Sequence, residues 1–291
     1  MDCAICGLKN WDVIYQGKIR SGKPNSYIQG KVVLCQNCDT ERLDKNYFDS
    51  MMYETDKYRN GLSVSINDID FYTTHDYNQQ IHLSKLIPLH LRDKVVADVG
   101  CSAGYLLDHI KGLAKQCIAI EPYNRFHSIL KDKDYDVFSY VSDANDYFNQ
   151  CDVVFSFDVI EHVEDPVLFL KQVKQLLAPN GELIIITPNR DEILMTLIPE
   201  IYSKHFYSTV HTWYFNRASL RNCINAASLS IENEQCIHGF GVGNAINWIK
   251  KEIPTGHSKF SEFNMTFDTF WKSYLEENWL GSCLCFTLKN N

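Results

Sequence analysis

Cationic residues are scarce. The 291-residue sequence sets 28 Lys and Arg against 36 Asp and Glu, a formal net charge of −8. A general nucleic-acid binder shows the opposite excess, so nucleic acid is not the expected partner. Long apolar runs are missing too: none approaches the ~18 residues of a membrane span. The opening "MDCAICGLKN" has neither the basic start nor the apolar stretch of a secretory signal. The expectation is a cytoplasmic protein with no membrane span. Cysteine, by contrast, is abundant, with 11 residues. Cys101, Cys117, Cys151, Cys223, Cys236, Cys283 and Cys285 are scattered through mostly apolar segments. Buried free thiols of that kind suit a reducing compartment better than a disulfide scaffold. With 45% hydrophobic and 22% charged residues, the composition is that of a globular chain, one large domain or one domain plus an appendage.

The other four cysteines form a pattern. "CAIC" at 3–6 and "CQNC" at 35–38 place two C-x2-C turns either side of a 28-residue spacer. Each turn lets two thiolates converge, and Cys3, Cys6, Cys35 and Cys38 together complete a closed tetrahedral site that favours zinc. The spacer reads as β-rich, since "WDVIYQGKI" and "YIQGKVVLC" alternate and carry Gly turns. The first use of such an ion is structural, replacing a core that sixty residues cannot build; contact with substrate or partner is the second. Residues 1–60 hold nine Lys/Arg and eight Asp/Glu, so this module has no basic footprint for phosphates.

From about 68 to 91, Ile81, Leu83, Leu86, Ile87 and Leu91 recur at helical steps. Tyr72, His75, Tyr77 and Gln80 give this helix a polar, aromatic entrance that packs at a domain junction or covers a ligand. From Val95 onward, apolar strands alternate with helices. "VVADVG", "QCIAIEP" and "CDVVFSFDVIEHV" read as strands, "DVFSYVSDAND" as a strand into an acidic loop, and "APNGELIIITPN" as a turn at Asn180-Gly181 and a fifth strand; "AGYLLDHIKG", "NRFHSILKDK" and "PVLFLKQVKQLLA" read as helices. Asp165 followed by Pro166 is a favourable start for the last of these. Strands this uniformly apolar imply a parallel sheet covered on both faces. Ligands of such sheets bind beyond the carboxyl ends of the strands, where strand order reverses. Asp98 to Gly104, Glu121, Asp143 and Asp158 all fall at such ends. A dinucleotide motif would need glycine where Ser102 stands and a small residue where Tyr105 stands. Glu121, 17 residues past Gly104 at the end of the next strand, can accept both hydroxyls of a ribose.

In this order and spacing, "VVADVGCSAGYLL", "AIEP", "SDAND", "FSFDVIEHVEDP" and "LAPNGELIIITPN" resemble a class I S-adenosylmethionine (SAM)-dependent methyltransferase over about residues 70–240 and the last strand, "GSCLCFTLK". The resemblance implies an α/β fold, a doubly wound seven-stranded Rossmann-like sheet ending in an antiparallel pair at about 229–238 and 282–288. A small N-terminal zinc-binding β module would accompany it. The implied organisation is a zinc-binding module at 1–60, a helical connector over the cofactor site at 61–94 and the methyltransferase domain at 95–291. SAM would be wrapped by Asp98, Gly100, Ser102 and Gly104, with Glu121 on the ribose, Asp143 and Ala144 at the adenine edge, Asp158 beside the reacting centre and Tyr72 as part of the cover.

Paired CxxC knuckles before such a core resemble methyltransferases of nucleotide-linked sugars, which implies a small-molecule acceptor, a sugar or sugar nucleotide. The chain stops after the final strand, unlike the longer carbon-methylating members, so an oxygen or nitrogen acceptor is at least as well supported. Substrate-cap segments are expected at about 190–215 and 239–280. For a hydroxyl acceptor, His211 in "HTWYFN" is the first candidate base and His162 the second. The aromatics after 263 recur at helical steps, which suits core or subunit contact better than a sugar platform. Two other readings stand beside this one: an RNA methyltransferase whose zinc ribbon holds the RNA, and a non-catalytic SAM-binding adaptor.

Overall fold

The computed structural model describes residues 2–21, 26–47, 69–86, 90–252 and 265–290, with side chains in the first helix from residue 75 onward. Ile87, Phe260, Phe263 and the side chain of Tyr72 lie outside the described residues.

The N-terminal segment forms an antiparallel sheet from β1 (Trp11–Arg20), β2 (Tyr27–Cys35) and β3 (Glu41–Leu43). Its two cysteine turns close by one device. Gly7 N–H donates to the Cys3 carbonyl at 2.8 Å and Asp39 N–H to the Cys35 carbonyl at 2.9 Å. The residue after each pair is left-handed, Gly7 at φ 73° and Asp39 at φ 58°, a region that glycine enters freely and aspartate tolerates.

The central part runs α1 (Ile69–Lys85), β4 (Val95–Val99), α2 (Tyr105–Ile110), β5 (Gln116–Ile120), α3 (Arg125–Asp132), β6 (Asp136–Phe138), β7 (Cys151–Phe157), α4 (Pro166–Val173) and β8 (Leu177–Pro188). There follow α5 (Ile193–Leu197), α6 (Pro199–Phe206), β9 (Trp213–Tyr214), α7 (Arg217–Ala226), β10 (Leu229–Ile237), α8 (Val242–Lys251), α9 (Met265–Glu277) and β11 (Cys283–Asn290). The seven-stranded sheet has the order β10-β11-β8-β7-β4-β5-β6, parallel from β8 to β6, with β11 antiparallel to both β8 and β10. Alternate residues of the strands serve opposite faces. Ala97, Val99, Ile118 and Val154 pack toward α4 and α7, while Val96, Ala119, Val153 and Phe155 pack toward α2 and α3. That two-sided burial is why these strands read as continuous apolar runs. The chain reverses direction across the sheet beside β4, with β5 on one flank and β7 on the other, which opens the crevice at their carboxyl ends.

Four elements differ from the sequence expectation. Helix α1 ends at Lys85, not near 91, and Leu91 is buried in the loop beyond it. Strand β6 keeps only three residues, because Tyr140 N–H donates to the Asp143 carboxylate at 3.0 Å and folds the chain into a tight turn. Strand β8 runs unbroken through Asn180-Gly181, which the sequence marks as a turn. Of the aromatics of α9, Trp271 packs on the apolar cluster of Leu194, Ala245 and Trp248, while Phe267, Phe270 and Tyr274 are exposed.

The N-terminal sheet has a fourth strand drawn from far along the chain. β9 pairs antiparallel with β3, Glu41 opposite Tyr214 and Arg42 opposite Trp213. Cys3, Cys35, Cys38 and Trp213 accordingly belong to the same apolar cluster as the sheet core.

Candidate active site

The turn after β4 is built for close approach. Gly100 has φ 84°, Ser102 φ 51° and Gly104 φ 86°. A Cβ on Gly100 would overlap Val159, and one on Gly104 would lie 2.8 Å from Leu130 Cδ2. The turn is anchored to β5 by Gly100 N–H donating to the Ile120 carbonyl at 2.8 Å. Glu121, at the end of β5, is buried; its carboxylate accepts from Ser102 N–H at 2.8 Å and Tyr123 N–H at 3.0 Å. Tyr105 Oη donates to Ser102 Oγ at 2.5 Å, and His75 of α1 stacks on the Tyr105 ring at 4.7 Å. Helix α1 therefore lies against the turn. Asp98 is buried below it, its carboxyl pushed up to about 8 by burial and then by the Glu121 charge. On the other flank Asp143 is exposed and holds its own turn, while Ala144 is fully buried beside it. Small residues, positive φ angles and a fixed acid beyond the strand ends form a cradle that fits a nucleoside-bearing ligand such as SAM.

At the end of β7 the chain turns sharply. Asp158 takes φ 55° while its N–H donates to the Ile186 carbonyl at 2.8 Å. Its side chain is open to solvent although protein surrounds it, so it stands in a recess; those surroundings and the Glu161 charge push its carboxyl up to about 7. The turn brings Val159 against Gly100, so the recess adjoins the cradle. His162 follows. One of its ring nitrogens, Nδ1, lies 2.7 Å from the Val210 carbonyl and must donate to it, which leaves the lone pair of the neutral ring on Nε2. That nitrogen faces Glu161 Oε1 at 3.7 Å. Glu161 is buried, its other oxygen accepts from Thr187 Oγ1 at 2.9 Å, and Oε1 has no hydrogen-bond partner. Burial pushes the Glu161 carboxyl up to about 7. The His211 ring stands edge-on to His162 at 4.7 Å. Burial, then His162 and Arg20, hold its pKa well below the usual histidine range. Donor atoms of Glu161, His162 and His211 lie within 4.8 Å of one another. One carboxylate and two imidazoles so arranged can relay a proton or hold a divalent cation.

Sequence reasoning singled out both histidines and Asp158 but missed Glu161, the neighbour that faces His162. It also missed Arg20, at the end of β1, whose charge is felt at His211. Tyr72 lies on α1, the helix over the cradle, with its side chain outside the described residues.

The four cysteines converge. Cys3 Sγ is 3.6 Å from Cys38 Sγ, Cys6 Sγ is 3.6 Å from Cys35 Sγ, and all four lie within 4.8 Å of one another. These are not disulfide distances. A tetrahedral ion with bonds of ~2.3 Å would place its sulfurs ~3.8 Å apart, so the set fits such an ion. All eleven cysteines are free thiols. The cluster is stitched to the recess side of the molecule. Buried Arg190, just beyond β8, pairs with Asp39 at 2.7 Å and Glu41 at 3.3 Å. Asn222 Nδ2 donates to the Cys38 carbonyl at 3.1 Å, and Leu43 N–H to the Thr212 carbonyl at 3.1 Å.

Comparison with known proteins agrees with this geometry. A methyltransferase-domain family profile matches residues 74–234, more than half of the chain. The ubiquinone biosynthesis O-methyltransferase of Bradyrhizobium diazoefficiens is 32% identical over 102 residues, 33% of this chain and 40% of its own length. The tRNA U34 carboxymethyltransferase of Sulfurovum sp. is 30% identical over 220 residues, 70% of this chain and 69% of that protein. Among solved structures, a SAM-dependent methyltransferase from Thermotoga maritima superposes with a TM-score of 0.50 at 17% identity, over 76% of this chain and 93% of the other; the fold is shared. The chain thus spans 40% of the first relative, and whole-protein activities do not transfer by likeness. With the family profile and the strand order in agreement, the chain belongs to the methyltransferase-domain family and shares the fold of SAM-dependent methyltransferases.

Proposed function

We propose that the protein transfers a methyl group from SAM to a hydroxyl of a small molecule, a sugar or nucleotide-linked sugar, seated in the recess between Asp158 and His211. The observation that carries this reading is the His162–His211 pair beside Asp158, adjoining the glycine cradle. SAM supplies a methyl group on a sulfonium. Gly100, Ser102 and Gly104 would wrap its methionine part, with Asp98 beneath the turn, Glu121 would take the ribose hydroxyls, and Asp143 with Ala144 would border the adenine. The chain's main task is to hold the acceptor oxygen in line with that methyl, an advantage that reaches ~10^5–10^8 M as effective molarity. His211, kept neutral by its surroundings, is the first group in place to take the hydroxyl proton; His162, with its lone pair on Nε2, is the second. A base of this kind adds ~10^2–10^4-fold. The O-methyltransferase likeness supports an oxygen acceptor. For Cys3, Cys6, Cys35 and Cys38 we propose one structural zinc ion, supported by the sulfur spacing.

RNA is the second reading, favoured by the tRNA U34 carboxymethyltransferase likeness over 70% of the chain. The formal charge of −8 and the balanced N-terminal segment weigh against it. A mass-spectrometric screen separates the two: the pure protein and SAM are incubated with nucleotide sugars and, separately, with a small-RNA pool. A nucleotide sugar heavier by one methylene is the expected product. Product in the RNA pool alone would overturn the small-molecule reading. On the identified acceptor, His211→Gln should lower kcat by ~10^2-fold or more with cofactor affinity unchanged. An unchanged kcat would pass the role to His162.

A further inference from the structure

Arg20 is the last residue of β1, in the N-terminal sheet, yet its backbone is bonded to the segment that leads to His211. Its N–H donates to the Tyr207 carbonyl at 2.9 Å and its carbonyl accepts from Thr209 N–H at 2.8 Å. A parallel bridge sets it beside Ser208. Ser208 is held in turn by Tyr214, whose hydroxyl accepts from Ser208 N–H at 2.8 Å and donates to the Ser208 carbonyl at 2.9 Å. These contacts fix the root of the Arg20 side chain beside Ser208 and Thr209, two to three residues from His211 along the turn that precedes β9. Its positive charge is felt at His211 and Tyr214.

The guanidinium is unlike the others that the fold uses. Arg190 is matched by Asp39 and Glu41, and Arg217 and Arg221 share Glu234. No carboxylate lies within ion-pair distance of Arg20 among the described residues, although the side chain is partly buried. Its Nε is sealed from water without a hydrogen-bond partner, and so is Ser208 Oγ beside it. A buried donor left unmatched costs about 1–3 kcal/mol. A guanidinium fork offers two parallel N–H donors, the pattern that matches an oxyanion at two points.

We propose that Arg20, with Ser208, forms a subsite for an oxyanion carried by the acceptor, a phosphate or a carboxylate, so that the N-terminal sheet supplies a specificity-determining residue to the methyl-transfer site. The inference rests on the reading of the recess as the acceptor site. It also gives the N-terminal sheet a direct part in recognition beyond its metal.

The test uses the full chain, labelled for detection of arginine Nε–H resonances, titrated at constant ionic strength with inorganic phosphate, acetate or chloride. The Arg20 Nε–H signal is expected to shift saturably with phosphate or acetate and not with chloride; the tighter of the two identifies the oxyanion class. Arg20→Gln should weaken that binding ~10-fold or more, while Arg20→Lys retains part of it and both leave SAM affinity unchanged. The absence of a saturable shift, or equal binding by Arg20→Gln, would overturn the subsite. Two further outcomes separate this inference from the reading beneath it. Oxyanion binding through Arg20 in a protein that methylates only RNA would support the subsite and count against the small-molecule acceptor. A methylated sugar nucleotide whose KM is untouched by Arg20→Gln would overturn the subsite and leave that reading standing.

Discussion

Glu121 shows how one side chain serves both fold and ligand. Its carboxylate satisfies two backbone N–H groups, those of Ser102 and Tyr123, inside a buried turn. Glu121→Ala would strip both of an acceptor, a loss of ~1–3 kcal/mol for each group left unmatched. The expected result is a lowered Tm together with SAM affinity reduced by ~10-fold or more, measured by calorimetry; a lowered Tm with unchanged affinity would make Glu121 an anchor of the turn only. Glu192 gives a second residue-scale prediction. It is buried at 3% exposure, burial pushes its carboxyl up to about 7, and its Oε1 has no hydrogen-bond partner. The raised value means that the folded chain holds a proton the unfolded chain releases near pH 4.5. Its contribution to stability therefore falls as pH rises from about 4.5 to about 7, by up to about 1.4 kcal/mol per pH unit. Glu192→Gln removes this titration, so it should stabilise the protein at pH 8 and change little at pH 4. Denaturant midpoints at the two pH values check the sign, and an equal effect at both would refute it.

At the scale of elements, the segment just beyond β8 is strapped to β3 by Arg190. Glu41 is partly buried beside it, and that burial lifts its carboxyl to about 6 in spite of the guanidinium. Arg190→Met would leave this acid and the half-exposed Asp39 without their cation, a loss below the ~3–5 kcal/mol of a fully buried pair. Acceptor turnover should fall with it while SAM affinity holds, and adding Glu41→Gln should restore part of the stability in urea unfolding. Elements with local signals were legible in advance. The apolar runs marked β4 and β5 nearly to the residue; β7 stops six residues short of its quoted run and β8 runs through the expected Asn180-Gly181 turn, while Asp165 does cap α4, accepting from Leu168 N–H at 2.9 Å. The four cysteines were legible from spacing alone. β9 was not, since a two-residue strand has no periodicity and its partner β3 lies some 170 residues earlier. Glu161 and Arg20 were hidden for the same reason: what marks each is an unmatched polar atom, which exists only once distant segments have met. The exposed aromatics of α9 are the converse case. Helical spacing predicts a stripe, and only the packed structure decides which way the stripe faces.

Across the whole molecule, the cysteine cluster and the acceptor side share one piece of structure. Cys35 ends β2, Cys38 lies in the turn before β3, β3 pairs with β9, and β9 begins two residues after His211. Trp213, fully buried, packs in the apolar cluster that contains Cys3, Cys35 and Cys38, and its Nε1 donates to the Val163 carbonyl at 2.9 Å. The cradle for SAM instead hangs on β4 and β5, on the far side of β7. Losing the proposed zinc ion should therefore act unevenly. Metal analysis of protein prepared without chelator is expected to give one zinc for the four thiols, with any ion beyond one pointing to Glu161, His162 and His211. Cys38→Ser, or chelation of the native chain, should lower Tm, alter the fluorescence of Trp213 and reduce acceptor turnover, while SAM affinity changes less than ~3-fold. The physical reason is that without an ion the four cysteines take up protons and lose the bonds that tie the two turns together, and the disturbance passes through β3 to β9 rather than through the parallel sheet. Equal losses of turnover and SAM binding would mean that the seven-stranded sheet itself depends on the metal. Full turnover in metal-free protein would separate the cysteine cluster from the acceptor site altogether, and would leave Arg20 as the one tie between them to be tested.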